Sequence, residues 1–288
     1  SVAEPQALLA IAPAGGGKTT WAQVKAILQK IMRPAKAHPE RKIEGASILC
    51  LVYNKHNVDD MKTRHKQLVN RLFSANIKGL DIDDRINACT IHSFCEFWRK
   101  TFAAQLNLVG FQHLDEAAAD RMMKRSIIIA CKLLNYQDSA LIDSTKVLGL
   151  YTMYQETLHD KKLLLSDDKY LDLNISEELL FKIFERYDSA KRCARKYDFS
   201  DMLTKVYEFL STDAKALATV QGYYDYVIAD EVQDFTPLMW GLLKLFVSDG
   251  TPLTCIGDED QNIYRFRGAS IQPLLHFTEF FPNSAVYT

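Results

Sequence analysis

Apolar positions in the first 95 residues alternate between short unbroken runs and stretches with a helical repeat. Ala7 to Ala12 (ALLAIA), Ser47 to Tyr53 (SILCLVY) and Ile86 to Ile91 (INACTI) read as buried strands. Trp21, Val24, Ile27, Leu28 and Ile31 follow the first run at three- and four-residue intervals. Val58, Met61, Leu68 and Leu72 follow the second, and Phe94, Phe97, Trp98, Phe102 and Leu106 the third. Such spacing puts the apolar side chains on one face of a helix. From about residue 98 to 195 the strand signal fades. Met122 to Leu134 and Leu179 to Tyr197 are helical in period, joined by a polar, Asp-rich stretch at 166–174. Strand and helix alternate again afterwards, through Tyr226 to Ala229 (YVIA), then Leu242, Leu243 and Phe246, then Pro252 to Ile256 (PLTCI). The expected fold is α/β: a parallel sheet flanked by helices (residues 1–97 and 196–288), interrupted by an all-helical insertion (98–195).

Composition adds bounds. The 288 residues are 48% hydrophobic and 25% charged, as in ordinary globular domains. No apolar run approaches the roughly 20 residues that span a bilayer, so no membrane partner is expected. A secretory leader is not evident, and a chain opening on Ser rather than Met reads as trimmed. Cysteines 50, 89, 95, 131, 193 and 255 form no C-x-x-C pair, which suits free thiols in a reducing compartment. Cys89, His92 and Cys95 lack the nearby fourth ligand that a closed zinc site requires. The net charge of −1 conceals an asymmetry: residues 1–100 carry 16 Lys/Arg against 9 Asp/Glu, and residues 196–288 carry 6 against 13. A basic first third suits a nucleic-acid backbone, and late acids suit Mg²⁺.

The strongest chemical signal is Ala12 to Thr20, APAGGGKTT, between the first strand and the first helix. Glycines let backbone N–H groups converge on an anion, and the helix dipole adds positive potential there. Ala14, Gly15, Gly16, Gly17, Lys18, Thr19 and Thr20 are therefore the candidate phosphate cradle. Lys18 would reach the β- and γ-phosphates, and Thr19 would hold Mg²⁺. Ala12 stands where the usual pattern has its first glycine. The strand at 226–229 runs into Asp230-Glu231, within DEVQD. Asp230 would contact Mg²⁺ and Glu231 would orient and deprotonate the attacking water. After the next strand, GDEDQNIYRFRGA (257–269) brings Gln261, suited to sensing a γ-phosphate. It also interleaves Tyr264 and Phe266 with Arg265 and Arg267, like a platform for stacked bases.

These segments, in this order, resemble the N-terminal part of superfamily 1 helicases of the UvrD, Rep and PcrA kind. APAGGGKTT resembles motif I, LVYNKHNVDDM (51–61) motif Ia, and TIHSF (90–94) the T-F-H-S-[LF] element. YDFSDML (197–203) resembles the D-F-D-D-L-L element, DEVQD (230–234) motif II, and GDEDQNIYRFRGA motif III. The resemblance covers nearly the whole chain. It implies a RecA-like P-loop NTPase domain with a helical insertion called 1B. It also implies ATP and Mg²⁺ as cofactors, and translocation on single-stranded DNA, usually 3′ to 5′. Carried over by position, Lys18, Asp230, Glu231 and Gln261 serve hydrolysis, and Arg267 links nucleotide and DNA sites. Tyr53, Asn54, His92, Ser93, Tyr264 and Phe266 would line the DNA, whether a single strand or a duplex junction. A nuclease or repair partner is not identifiable, and the implied compartment is the bacterial cytoplasm with its nucleoid, or a eukaryotic nucleus.

The family's adenine-reading glutamine normally lies further upstream of the motif I lysine than Gln6 does from Lys18. FPNSAVYT (281–288) resembles the approach to the N-Y-R-S motif. The expectation is a chain without the second RecA-like domain, which binds ATP·Mg²⁺ weakly and does not unwind DNA alone. A stand-alone, nucleotide-dependent module that clamps DNA or a protein is the alternative.

Overall fold

The computed structural model describes residues 5–11, 17–32, 47–74, 86–258, 260 and 270–287. In chain order, β1 (Ala7–Ile11), α1 (Lys18–Met32), β2 (Ile48–Val52), α2 (Lys55–Ser74), β3 (Asn87–Thr90) and α3 (Ile91–Thr101) come first. Then follow β4 (Gln112–His113), α4 (Glu116–Leu133), α5 (Ser144–Glu156), α6 (Lys161–Leu165), α7 (Asp168–Leu173) and α8 (Glu177–Cys193). The chain continues through β5 (Lys196–Tyr197), α9 (Phe199–Thr212), α10 (Ala214–Gly222), β6 (Tyr226–Asp230) and α11 (Pro237–Phe246). It ends with β7 (Leu253–Gly257), α12 (Gln272–Leu275), α13 (Phe277–Phe280) and β8 (Ser284–Tyr287). Two compact units divide it: Ser1–Phe94 with Phe209–Thr288, and Cys95–Glu208.

The first unit is built on a six-stranded sheet in the order β3-β2-β6-β7-β1-β8, parallel at every junction. Every residue of β2, β6 and β7 is buried, which explains why these strands read as unbroken apolar runs. Ala22 and Ala26 of α1 and Met61 of α2 pack with Ile48, Cys50, Val52, Ile228 and Ile256. The register sets Asp230 beside Ile256 and Ile11 beside Gly257, so β1, β6 and β7 end level with one another. Ligands of open α/β sheets bind beyond such carboxyl ends.

The Cys95–Glu208 unit packs Met123 and Ile127 of α4, Val147 and Leu150 of α5, and Leu180, Ile183 and Phe184 of α8 into one core. Aspartates start its helices: Asp115 caps α4, Asp143 α5, Asp160 α6 and Asp167 α7, each side chain accepting from amides of the first turn. The 166–174 stretch is therefore a capped helix rather than a polar joint. The insertion is not wholly helical either, since β4 and β5 form a parallel pair. Arg195, at φ 51°, turns the chain out of α8 into β5, ending the helical period at Cys193 rather than Tyr197. Likewise α3 ends at Thr101, short of Leu106.

Candidate functional site

The carboxyl edge of the sheet gathers the described candidates. Gly17 adopts φ +78°, a left-handed conformation that favours glycine, and its carbonyl accepts the Trp21 amide at 2.9 Å. It thereby starts α1, with Lys18 in the first turn. Lys18 Nζ stands 3.4 Å from Asp258 Oδ2 and 3.9 Å from Glu231 Oε2, its side chain largely buried. Thr20 is exposed on the same turn, and of Thr19 the described part is its helical backbone. Ala14, Gly15, Gly16, Gln261, Tyr264, Phe266 and Arg267 lie outside the described residues.

Two strand ends supply the acids. Asp230 closes β6, is buried, and accepts the Glu231 amide at 3.0 Å. Burial, reinforced by the Glu231 charge, pushes the Asp230 carboxyl up to about 7 against the pull of that amide and of Lys18. Glu231 sits in the left-handed region, at φ 55° and ψ 43°, a conformation that costs a non-glycine residue roughly 1–2 kcal/mol. Gln233, itself buried, ties the two ends together: its Nε2 donates to Glu231 Oε2 at 2.7 Å, and its Oε1 accepts the Asp258 amide at 3.0 Å. A side chain at Gly257 would be crowded, since a Cβ there would lie 3.1 Å from Gln233 Oε1 and 2.8 Å from Leu274 Cδ1. Asp234 is pushed up to about 6 by burial and by Glu231, and its Oδ1 is buried without a hydrogen-bond partner among the described residues.

Asp258 and Gln233 are not among the residues that the motif spacing singles out. The available signal is that Asp258 follows β7 as Asp230 and Glu231 stand at the end of β6. Among the described residues no cluster of three or more His, Cys, Asp or Glu surrounds a common cation position. Mg²⁺ differs from ions caged by protein alone, since it keeps several waters and takes one or two carboxylates with substrate phosphates.

Tyr53 and Asn54 follow the end of β2, and His92 and Ser93 follow the end of β3, on the same edge of the sheet. Asn54 caps α2, its Oδ1 accepting the Asn57 amide at 3.0 Å. Thr90 does the same for α3, accepting the Ser93 amide at 3.1 Å and donating to the Ser93 hydroxyl at 3.0 Å. Burial drives the His92 imidazole down to about 4, so it is neutral at physiological pH. No described helix is long and apolar enough to cross a membrane.

Comparison with known proteins agrees with this arrangement of motifs. The family model of the UvrD/REP helicase N-terminal domain matches residues 2–282. A probable DNA helicase II homolog of Mycoplasma pneumoniae is 28% identical over 263 residues, which are 89% of this chain and 33% of that protein. The ATP-dependent DNA helicase PcrA of Leuconostoc citreum is 23% identical over 280 residues, 96% of this chain and 34% of its own. The ATP-dependent DNA helicase UvrD2 of Mycobacterium tuberculosis is 39% identical over a shorter 89 residues, 31% of this chain and 13% of its own. The chain thus spans about a third of the length of the curated relatives that it matches along most of its length.

Proposed function

The chain belongs to the UvrD/REP helicase N-terminal domain family, and from that premise we propose that it binds and hydrolyses ATP to drive 3′ to 5′ translocation of a helicase along single-stranded DNA. The observation that carries this reading is Lys18 at the start of α1, within 3.4 Å of Asp258 and 3.9 Å of Glu231. A cation at a helix N-terminus, facing two carboxylate-bearing strand ends, is suited to a triphosphate on one side and a water nucleophile on the other.

Lys18 is the group that would hold the β- and γ-phosphates. Glu231, its Oε2 fixed by Gln233, is the base that would orient a water and take its proton. Thr19 and Asp230 would hold Mg²⁺, whose charge offsets that of the phosphates. The donor chemistry fits, because Asp230 is a buried carboxylate whose ionised form is costly until a cation neutralises it. Gln261 and Arg267 are assigned to γ-phosphate sensing and to its link with DNA, and Tyr264 and Phe266 to base stacking. Tyr53, Asn54, His92 and Ser93 are assigned to the DNA path, where a neutral His92 offers hydrogen bonds without charge.

The test is ATP hydrolysis with and without single-stranded DNA, in the protein that carries this chain. Lys18→Ala should abolish nucleotide binding. Glu231→Gln should keep binding but slow turnover by roughly 10²–10⁴-fold. Wild-type turnover in Glu231→Gln would overturn the assignment of the base. Comparing 3′-tailed with 5′-tailed duplexes checks the direction.

A further inference from the structure

We propose that the groove between α4 and α8 docks an acidic amphipathic helix of a partner protein. This surface lies wholly within the Cys95–Glu208 unit and is independent of the nucleotide chemistry. Its volume is about 690 Å³, and Ala118, Met122, Ile129, Ala190, Cys193 and Ala194 line it. On each helix the lining positions recur at three- and four-residue intervals, so the floor is one continuous stripe. Small side chains keep that floor low, while Ile129, 45% exposed, stands unburied beside it. From Ala118 to Ile129 the stripe runs about 17 Å, or three helical turns. That shape suits a helix laid into a groove.

Charge selects the kind of helix. Arg121, Arg125 and Arg186 line the same groove, and among the described residues none of the three guanidiniums forms a hydrogen bond or an ion pair. Arg186 Nε is buried without an acceptor among the described residues. Nearby carboxylates are already engaged: Asp120 by Lys124 at 2.8 Å and by the Ser144 hydroxyl at 2.6 Å, and Glu185 by Lys182 at 2.8 Å. Arg121 and Arg186 act on Asp120 and Glu185 through charge alone, so three guanidiniums with their N–H donors uncommitted around an apolar floor complement carboxylates flanking an apolar stripe. A phosphodiester backbone would match the arginines but leave Met122 and Ile129 against a highly hydrated chain, so a protein helix is the better occupant.

The probe is a synthetic 20-residue helix with Leu at i, i+3, i+4 and i+7 and Glu alongside, compared with its Lys-for-Glu counterpart and with oligothymidylate. The acidic peptide should bind the intact chain saturably and protect Cys193, an exposed thiol in the groove, from alkylation. Combined Arg121→Glu, Arg125→Glu and Arg186→Glu should weaken it at least tenfold, with circular dichroism reporting that the fold persists. Ile129→Asp, at an exposed position, should weaken it comparably should the triple variant fail to fold. Absence of saturable binding, equal binding of the basic peptide, indifference to these substitutions, or protection of Cys193 by oligothymidylate instead would each overturn the proposal.

Discussion

Lys18 Nζ and Asp258 Oδ2 meet at 3.4 Å, although 240 residues separate them in sequence. Their side chains are 8% and 5% exposed, so each charge is compensated by neighbouring groups rather than by water. Removing one partner of a buried pair strands the other, whereas removing both is far less costly. Lys18→Met is expected to destabilise the nucleotide-free chain by roughly 2–4 kcal/mol, because it takes a cation away from the buried carboxylate of Asp258 and from Glu231. Asp258→Asn should cost less, about 1 kcal/mol, since Glu231 at 3.9 Å remains as a partner for the lysine. In a urea-denaturation double-mutant cycle the two losses should fall short of adding. Additivity to within about 0.3 kcal/mol would show that the pair is energetically uncoupled.

Gly257 is the second point where the strand ends are constrained. A methyl group there would lie 2.8 Å from Leu274 Cδ1, 3.1 Å from Gln233 Oε1 and 3.1 Å from Val232 Cγ2. Leu274 and Gln233 can swing aside, but β-branched Val232 cannot yield as freely. Gly257→Ala should therefore cost about 1–3 kcal/mol of stability by chemical denaturation. Adding Leu274→Val, which removes the nearest atom, should recover part of the loss. Unchanged stability in Gly257→Ala would mean that this crowding is absent in solution.

What could be read in advance divides along a physical line. The helix start at Lys18, and strands β2, β6 and β7, were legible because the relevant signal is local: a strand–turn–helix spacing, or a run apolar on both faces. The two acids at the end of β6 were legible for the same reason. The pairing of Lys18 with Asp258 was not, because it depends on β7 lying between β6 and β1, a neighbour relation that no window of sequence contains. Nor was the bridging role of Gln233, whose bond to the Asp258 amide reaches across to the end of β7. Helices α6 and α7 escaped the period because five or six residues make little more than one turn. Their aspartate caps were the signal to follow. The two-residue strands β4 and β5 carry no period at all.

His92 should impose an acid limb on stability. Burial holds its imidazole at about 4, while an unfolded histidine titrates near 6.5. Between those values the unfolded chain binds a proton that the folded chain does not, so stability rises with pH across this window. It is complete above about pH 6.5 and falls as pH drops towards 4. Between pH 7 and 4.5 the loss attributable to this group is on the order of 2 kcal/mol. His92→Gln should flatten that limb in denaturation curves taken at pH 4.5, 5.5 and 7. An equally steep limb in the variant would assign it to other groups.

Lys191, in the Cys95–Glu208 unit, makes the largest stability prediction. Its Nζ lies 2.8 Å from Asp198 Oδ2 and 2.7 Å from Asp201 Oδ2, with Asp188 Oδ1 at 3.5 Å. It also stands over the rings of Tyr151 and Tyr187, at 4.3 and 4.4 Å. The two aspartates cap α9 reciprocally, since Asp201 N–H donates to Asp198 Oδ1 at 2.9 Å and Asp198 N–H to Asp201 Oδ2 at 3.1 Å. That is a capping box made of two like charges, and it needs a cation between them. Burial alone would lower Lys191, but Asp198 and Asp201 outweigh it and raise the ammonium above its ordinary value. Asp201 is raised as well, by burial first and then by Asp198, against the pull of Lys191. Lys191→Met should thus cost about 3–5 kcal/mol at neutral pH. Asp201→Asn in the same chain should return part of that, because asparagine keeps an acceptor for the Asp198 amide. The deficit of Lys191→Met should also shrink in acid, where a raised carboxyl takes up a proton and the stranded charge disappears. A deficit below about 1 kcal/mol, or one that grows as pH falls, would show that Lys191 is not the charge holding this helix start together.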